Sequence, residues 1–165
     1  MSSPKLTVEL VPEPCWFSNV RSEVSRSDWD KIKQFTFQAA QRRCEICGGR
    51  GPKWPVECHE VWQYTEFPET HHIRAHGVQR LIQFVALCPA CHEVKHLGLA
   101  ELRERLDQAL MHLAMVNQWS AQQAQQYRTQ ALAIWARRSQ LPWLLDLSYL
   151  DRLNIQVLRE HGRAA

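Results

Sequence analysis

Hydrophobic and polar positions near the N-terminus first alternate and then follow a helical spacing. Residues 6–11, LTVELV, alternate apolar and polar side chains, which is typical of a strand with one buried face. Two prolines follow and exclude a regular element there. Ser27 has the character of a helix N-cap, and apolar residues recur at helical spacing from Trp29 to Ala39. The pattern predicts a strand over 6–11 and a helix that ends near Arg43.

Two β-rich segments occupy the middle of the chain. Residues 55–64, PVECHEVWQY, and residues 80–87, RLIQFVAL, are short and rich in β-branched and aromatic side chains, which predicts two strands. Residues 65–79 are predicted to form a loop. The second segment leads directly into CPACHEVKHLG, which begins at Cys88. The pattern there predicts a tight turn followed by a helical turn.

The C-terminal third has two helical patterns. Leucines recur at helical spacing from Leu99 until Asn117 interrupts them, and Ser120 is predicted to cap a second helix that Pro142 stops. The alternating residues after Pro142 predict a short final strand that could pair with residues 6–11. The predicted fold class is therefore α+β, with flanking helices and a short pair of terminal strands.

Length and composition favour one globular domain over residues 1–165. Hydrophobic residues make up 45% of the chain, enough for a core and too many for a disordered protein. No apolar run approaches the roughly 18 residues of a membrane span. The first residues, MSSPKLTVEL, do not resemble a signal peptide, so a cytoplasmic protein without a membrane partner is expected. The net charge of +3 permits nucleic-acid binding without arguing for it.

Four of the six cysteines form two Cys-x-x-Cys pairs. In a chain without an export signal, such pairs indicate metal ligands rather than disulfides. Two pairs about forty residues apart could close one tetrahedral, structural zinc site; the alternative is two unrelated pairs of core cysteines. The predicted zinc ligands are Cys44, Cys47, Cys88 and Cys91.

Three histidines form a second candidate ligand set. His92 and His96 are four residues apart and would share one face of a helix, while His59 lies on a strand that could pack against that helix. Three histidines leave positions open on a divalent metal, as a catalytic site requires. The alternative is that His92 caps the turn at Cys91 and His96 lies on the surface.

The motifs CEICGG, VECHEVW and FVALCPACHEVKH resemble the HNH endonuclease family of the ββα-metal type, in its zinc-stapled form. The resemblance covers residues 43–98, between an N-terminal strand and helix (1–43) and the C-terminal helices and short strand (99–165). It implies a β-hairpin and a helix that hold one divalent metal. It also implies a base on the first strand that activates water to attack a DNA phosphate.

The resemblance transfers unevenly to individual positions. His59, His92 and His96 match the catalytic metal ligands. The usual histidine base is replaced by Glu60, and the usual asparagine that orients it by Gln83. Glu60 could act as the base or, as a hard oxygen donor, as a further ligand for Mg²⁺ or Mn²⁺. Ni²⁺ and Zn²⁺ are the other candidates for this second metal.

The loop offers an alternative histidine pair. His71-His72-Ile73 looks like the family's His-His-Ile, and His76 lies close by. The pair lies far beyond Cys47 for a first strand, and its neighbours have the character of a loop. If this pair formed the site, Glu60 would have no catalytic role.

Basic residues surround the cysteine and histidine motifs and are candidate phosphate contacts, although ordinary surface charge is the alternative. They are Arg42, Arg43, Arg50, Lys53, Arg80 and Lys95.

The predicted function is a metal-dependent endonuclease that hydrolyses DNA phosphodiesters. The alternative is a catalytically inactive, zinc-stapled nucleic-acid-binding or adaptor protein. Its aromatic candidates for stacking or partner contact are Trp16, Phe17, Trp54 and Trp62, and the C-terminal helices could meet a protein partner or a second copy.

Overall fold

The computed structural model describes residues 3–158 and has six α-helices and three strands within them. The helices are α1 Val20–Glu23, α2 Arg26–Ala39, α3 Pro89–Lys95, α4 Leu97–Leu102, α5 Leu106–Asn117 and α6 Ala121–Arg138, and the strands are β1 Glu57–Phe67, β2 His76–Leu87 and β3 Trp143–Asp146. Short 3-10 turns lie at Glu13–Cys15 and Ser148–Leu153. The predicted α+β class is confirmed.

The three strands form one sheet in the order β1-β2-β3, so β1 has a free edge as far as residues 3–158 are concerned. β1 and β2 are antiparallel, and the register shifts by one residue between the pairs Val61–Gln83 and Trp62–Leu81. The extra residue, Ile82, lies on β2, so the regular alternation of β1 is kept. His59 therefore lies on one face of the sheet and Glu60 on the other.

The predicted pair of terminal strands is wrong. β3 pairs in parallel with the first residues of β2, and residues 6–11 form no strand. The backbone of Leu6 is instead bonded to the side chain of Asn117, which accepts from its N–H at 3.0 Å and donates to its carbonyl at 2.8 Å. An amide side chain at the end of α5 thus takes the place of a neighbouring strand.

Each face of the sheet is covered by a separate core. Leu87 and Val85 pack on the side of α3, α5 and three of the four cysteines. Leu81 and Phe84 pack on the opposite side, against α1, α2 and the final 3-10 turn. The hairpin is therefore held between two packed layers, and α3 is fixed against the face that carries His59.

Helix α2 begins earlier than the sequence predicts. Ser25, not Ser27, is its N-cap, because the Ser25 hydroxyl accepts from the amide of Asp28. The helix ends at Ala39 rather than near Arg43, and the next residues turn towards the first cysteine pair. The short helix α1 occupies a stretch for which no regular element was predicted.

The leucine pattern that begins at Leu99 belongs to two helices rather than one. Glu104 has a left-handed backbone (φ 58°), which no α-helix continues through, so α4 ends at Leu102 and α5 begins at Leu106. The predicted end near Asn117 and the predicted cap at Ser120 are confirmed, the latter as a capping box. Within residues 3–158, no helix combines the length and hydropathy needed to span a bilayer.

Candidate metal centres

The two Cys-x-x-Cys pairs converge on one point. Cys44 and Cys47 lie in the turn after α2, Cys88 is the N-cap of α3, and Cys91 lies in its first turn. The four sulfurs lie within 4.8 Å of one another, and Cys47 Sγ is 3.6 Å from Cys88 Sγ. Tetrahedral zinc with bonds of ~2.3 Å separates its sulfurs by about 3.8 Å, so the four thiols fit such an ion. All are free, without disulfides.

Hydrogen bonds favour the thiolate form of Cys44, whereas burial raises the pKa of Cys88 and the hydrogen bond with Cys44 raises that of Cys91. A hydrogen bond from Cys91 is the main cause that lowers the pKa of Cys44 to about 4, and backbone amides add to it. The amide of Gly49 donates to Cys47 Sγ at 3.4 Å. His112, from α5, has its Nε2 3.1 Å from Cys91 Sγ. No sequence pattern singles out His112, since only packing of α5 on α3 brings it there.

The three predicted histidines also meet. His59 projects from β1, His92 from α3, and His96 lies at the junction of α3 and α4. Their candidate ligand nitrogens lie within 4.8 Å of one another, and the ring centroids are 4.8 to 5.2 Å apart. The three rings could therefore hold one metal ion. The alternative that placed His96 on the surface is wrong, because His96 is partly buried.

Two carboxylates that sequence reasoning missed contact this histidine cluster. Glu9 Oε2 lies 2.8 Å from His59 Nε2, and Glu57 Oε2 lies 2.5 Å from His92 Nδ1. Such carboxylates fix the orientation of ligating imidazoles. Strand alternation could have revealed Glu57, which is two residues before His59 and shares its face. Glu9 had no such signal, because its segment was predicted to join the other end of the chain.

Lys95 is not a phosphate contact, contrary to the prediction. It is only 5% exposed, and its ammonium donates to Glu9 Oε1 at 2.6 Å and to the Thr7 hydroxyl at 2.7 Å. A buried, paired lysine cannot reach a phosphate without leaving Glu9 uncompensated. Its observed contacts join α3 to the N-terminal segment.

The electrostatics favour the neutral forms of His59 and His96 and the ionised form of Glu9. Burial is the main cause that lowers the pKa of His59, and burial with the neighbouring His92 lowers that of His96 to about 4. Burial alone would raise the pKa of Glu9, but the hydrogen bond with His59 and the charge of Lys95 outweigh it and lower that pKa to about 2. Neutral imidazoles are the form that binds metals.

Glu60 and Gln83 lie outside the group of converging ligands. Glu60 accepts a hydrogen bond from the amide of Val20 at 2.9 Å, on the face of the sheet opposite His59. Burial raises the pKa of Glu60 to about 7, against the lowering effect of the amides of α1. Gln83 is exposed and pairs with Val61 across the hairpin, so its side chain lies on the same face of the sheet as His59.

The alternative histidine pair is not part of either centre. His71 and His72 are exposed in the loop of residues 68–75, which is shorter than predicted because β1 and β2 both extend into it. His76 lies on β2, where its ring stacks on Phe67 at a centroid distance of 5.0 Å. The converging histidines are those of the hairpin and α3.

The remaining predicted phosphate contacts are exposed. Arg43 and Arg50 donate to backbone carbonyls of the turn around the first cysteine pair, and Arg80 is bonded to Asp146 at 2.7 Å. Four of them surround the first cysteine pair in sequence: Arg42, Arg43, Arg50 and Lys53.

Comparisons of the chain with protein-family models, with curated proteins and with solved structures give no match. The chemistry of the two centres is therefore the basis for a functional proposal.

Proposed function

We propose that the protein is a metal-dependent, HNH-like endonuclease that hydrolyses DNA phosphodiester bonds. The observation that carries the proposal is the convergence of His59, from the first strand of an antiparallel hairpin, with His92, from the helix that follows, and His96, at the end of that helix. This is the arrangement that the resemblance implies. The four-cysteine site beside it would hold zinc and anchor the start of that helix.

The histidine cluster is suited to a catalytic divalent metal because three protein ligands leave coordination positions open. When bound, such an ion would polarise a phosphoryl oxygen and lower the pKa of a bound water. Glu9 and Glu57 would hold the rings of His59 and His92 in the orientation that ligation requires.

Glu60 is the proposed general base. It is the neighbour of His59 on the free-edge strand, and both line one cavity, so a group at that edge could contact both. Glu60 lies on the face of the sheet opposite His59, so the two side chains do not easily reach one metal. This favours the role of base over that of metal ligand. Gln83, whose exposed side chain shares the sheet face of His59, would orient the attacking water.

A second candidate is a zinc-stapled nucleic-acid-binding or adaptor protein without catalysis. Two observations favour it. Glu60 replaces the histidine base that the resemblance implies, and large aromatic side chains are exposed, with Phe17 at 87% and Trp54 at 62%. Such residues could stack on bases or contact a protein partner.

A plasmid assay separates these candidates. Supercoiled DNA is incubated with purified protein and Mg²⁺, Mn²⁺, Ni²⁺ or Zn²⁺, and with the variants His96→Ala and His72→Ala. We expect nicking by the parent and by His72→Ala, whose histidine lies in the exposed loop, and none by His96→Ala. Equal cleavage by the parent and by His96→Ala would overturn the assignment of the three histidines as ligands of the catalytic metal. DNA binding without cleavage under any of the four ions would favour the second candidate.

A further inference from the structure

A large cavity continues from the histidine cluster along the free edge of β1. Its volume is about 880 Å³, within the range of roughly 300–1,000 Å³ that small-molecule sites occupy. The N-terminal segment, α4 and α6 complete its walls. We call it the aromatic cavity, because its apolar lining includes Trp16, Trp29, Trp62 and Trp135.

Two polar atoms in its lining have no hydrogen-bond partner among residues 3–158. They are the hydroxyl of Tyr64 and Oε1 of Gln79, a residue that is only 1% exposed. Tyr64 and Gln79 are direct partners across β1 and β2, so their side chains lie on the same face. The Gln79 amide nitrogen donates to the Ser18 carbonyl at 3.4 Å, which leaves the oxygen as a free acceptor. Buried polar atoms are normally paired, so these two indicate a polar ligand.

A second cavity of about 720 Å³ adjoins the first and shares Arg21, Trp29 and Cys58 with it. We call it the cationic cavity, because Arg21, Arg26 and Lys33 line it together with one carboxylate, Asp30. Lys33 is paired with Asp30 at 2.7 Å, so Arg21 and Arg26 are the cations left for a ligand. An excess of cations beside aromatic walls suits a ligand that joins an anionic group to a flat ring.

We propose that the aromatic cavity binds an unstacked nucleobase of the nucleic-acid substrate, with a phosphate of the same strand in the cationic cavity. The inference rests on the proposed function, which places a backbone phosphate at the histidine cluster. Tryptophan faces stack on any base, and the polar edge of a base carries donors for Gln79 Oε1 and acceptors for the Tyr64 hydroxyl. An enzyme that binds a base in this way must take it out of the stack.

The test uses binding in the absence of divalent metal. The four 2′-deoxynucleoside 5′-monophosphates, their nucleosides and inorganic phosphate are titrated separately into the protein, and quenching of tryptophan fluorescence is measured. The variants are Gln79→Leu and Tyr64→Phe, which remove one unpartnered atom each. The control is Gln63→Leu, an exposed glutamine that lies on the other face of β1.

We expect saturable quenching by at least one monophosphate and weaker binding of its nucleoside. Gln79→Leu and Tyr64→Phe should each weaken binding by roughly three- to tenfold, the effect of one hydrogen bond, while Gln63→Leu should not. No saturable quenching at millimolar ligand would overturn the inference. The inference would also be overturned if Gln79→Leu and Tyr64→Phe both bound the monophosphate with unchanged affinity, or if inorganic phosphate displaced the monophosphate completely.

The result is separable from that of the plasmid assay. Nucleotide binding that depends on Gln79, in a protein that cleaves nothing, would support the base site and overturn the nuclease. Cleavage that depends on His96, without nucleotide binding, would support the nuclease and overturn the base site.

Discussion

Glu9 Oε2 lies 2.8 Å from His59 Nε2, although fifty residues separate the two in the chain. The other oxygen of the same carboxylate accepts from Lys95 at 2.6 Å. One side chain of an irregular N-terminal segment thus orients a candidate metal ligand and neutralises a buried ammonium group. The N-terminal segment is therefore part of the site and not only of the core.

Replacement of Glu9 should destabilise the fold. Glu9→Gln leaves Lys95 buried without a counter-charge, and loss of one partner of a buried pair costs up to about 3–5 kcal/mol. Since Glu9 is partly exposed, we expect about 2–3 kcal/mol in urea unfolding. The double variant Glu9→Gln/Lys95→Met should recover part of that loss, because no unpaired charge remains. Strictly additive effects would show that the pair is not coupled.

Acid should remove the contribution of Glu9. Its folded pKa of about 2 lies below the ordinary value of 4.5, so the ionised carboxylate stabilises the protein above pH 4.5. That contribution is lost as the pH falls from 4.5 to 2. The difference in unfolding free energy between parent and Glu9→Gln should therefore shrink over this interval. A difference that stays constant with pH would contradict the assignment.

Removal of the zinc ligands should unfold the protein. Metal binding contributes directly to folding in small sites, so Cys88→Ser should abolish tight zinc binding and greatly lower the melting temperature. Cys58→Ser is the matched control, since Cys58 lies outside the four-cysteine group. Elemental analysis should find one tightly held zinc per chain in the parent and the control. Folded parent protein without zinc would contradict this prediction.

Replacements of Glu60 and Glu57 should affect different quantities, the first the cleavage rate and the second the affinity for the second metal. Glu60→Gln keeps an acceptor for the Val20 amide and removes the base, so cleavage should fall by roughly 10² to 10⁴ with unchanged affinity for the second metal. Glu57→Gln should weaken that affinity by about 10- to 100-fold, with cleavage partly restored by excess metal. Both quantities are obtained by measuring the cleavage rate as a function of metal concentration. Parent-like cleavage by Glu60→Gln at every metal concentration would exclude the base role.

DNA affinity should depend on salt through the exposed cations. Each lost phosphate contact should reduce the slope of log affinity against log salt by about 0.9. Arg43→Gln and Arg50→Gln should therefore flatten the slope, while Lys31→Gln, on the exposed side of α2, should not. Affinity that does not change with salt would favour a protein partner instead.

The sequence alone was enough to predict the two strands of the hairpin and the ligand types. Cys-x-x-Cys spacing, the four-residue spacing of His92 and His96, and the β-rich composition of β1 are short-range features, and the structure brings the ligand residues together as predicted. The Ser120 cap was readable for the same reason, since a capping box involves only neighbouring residues.

Only the tertiary structure decided which distant residues complete the site. The apolar alternation of residues 6–11 does predict an extended chain with a buried face, but it does not name the partner. The Asn117 side chain and the Lys95 carbonyl supply the backbone partners that a strand would otherwise give, and Glu9 consequently lies at His59. Lys95 is buried by the same packing, whereas its sequence suggests an exposed cation. Long-range packing and the pairing of buried charges fixed these positions, and neither leaves a short-range pattern in the chain.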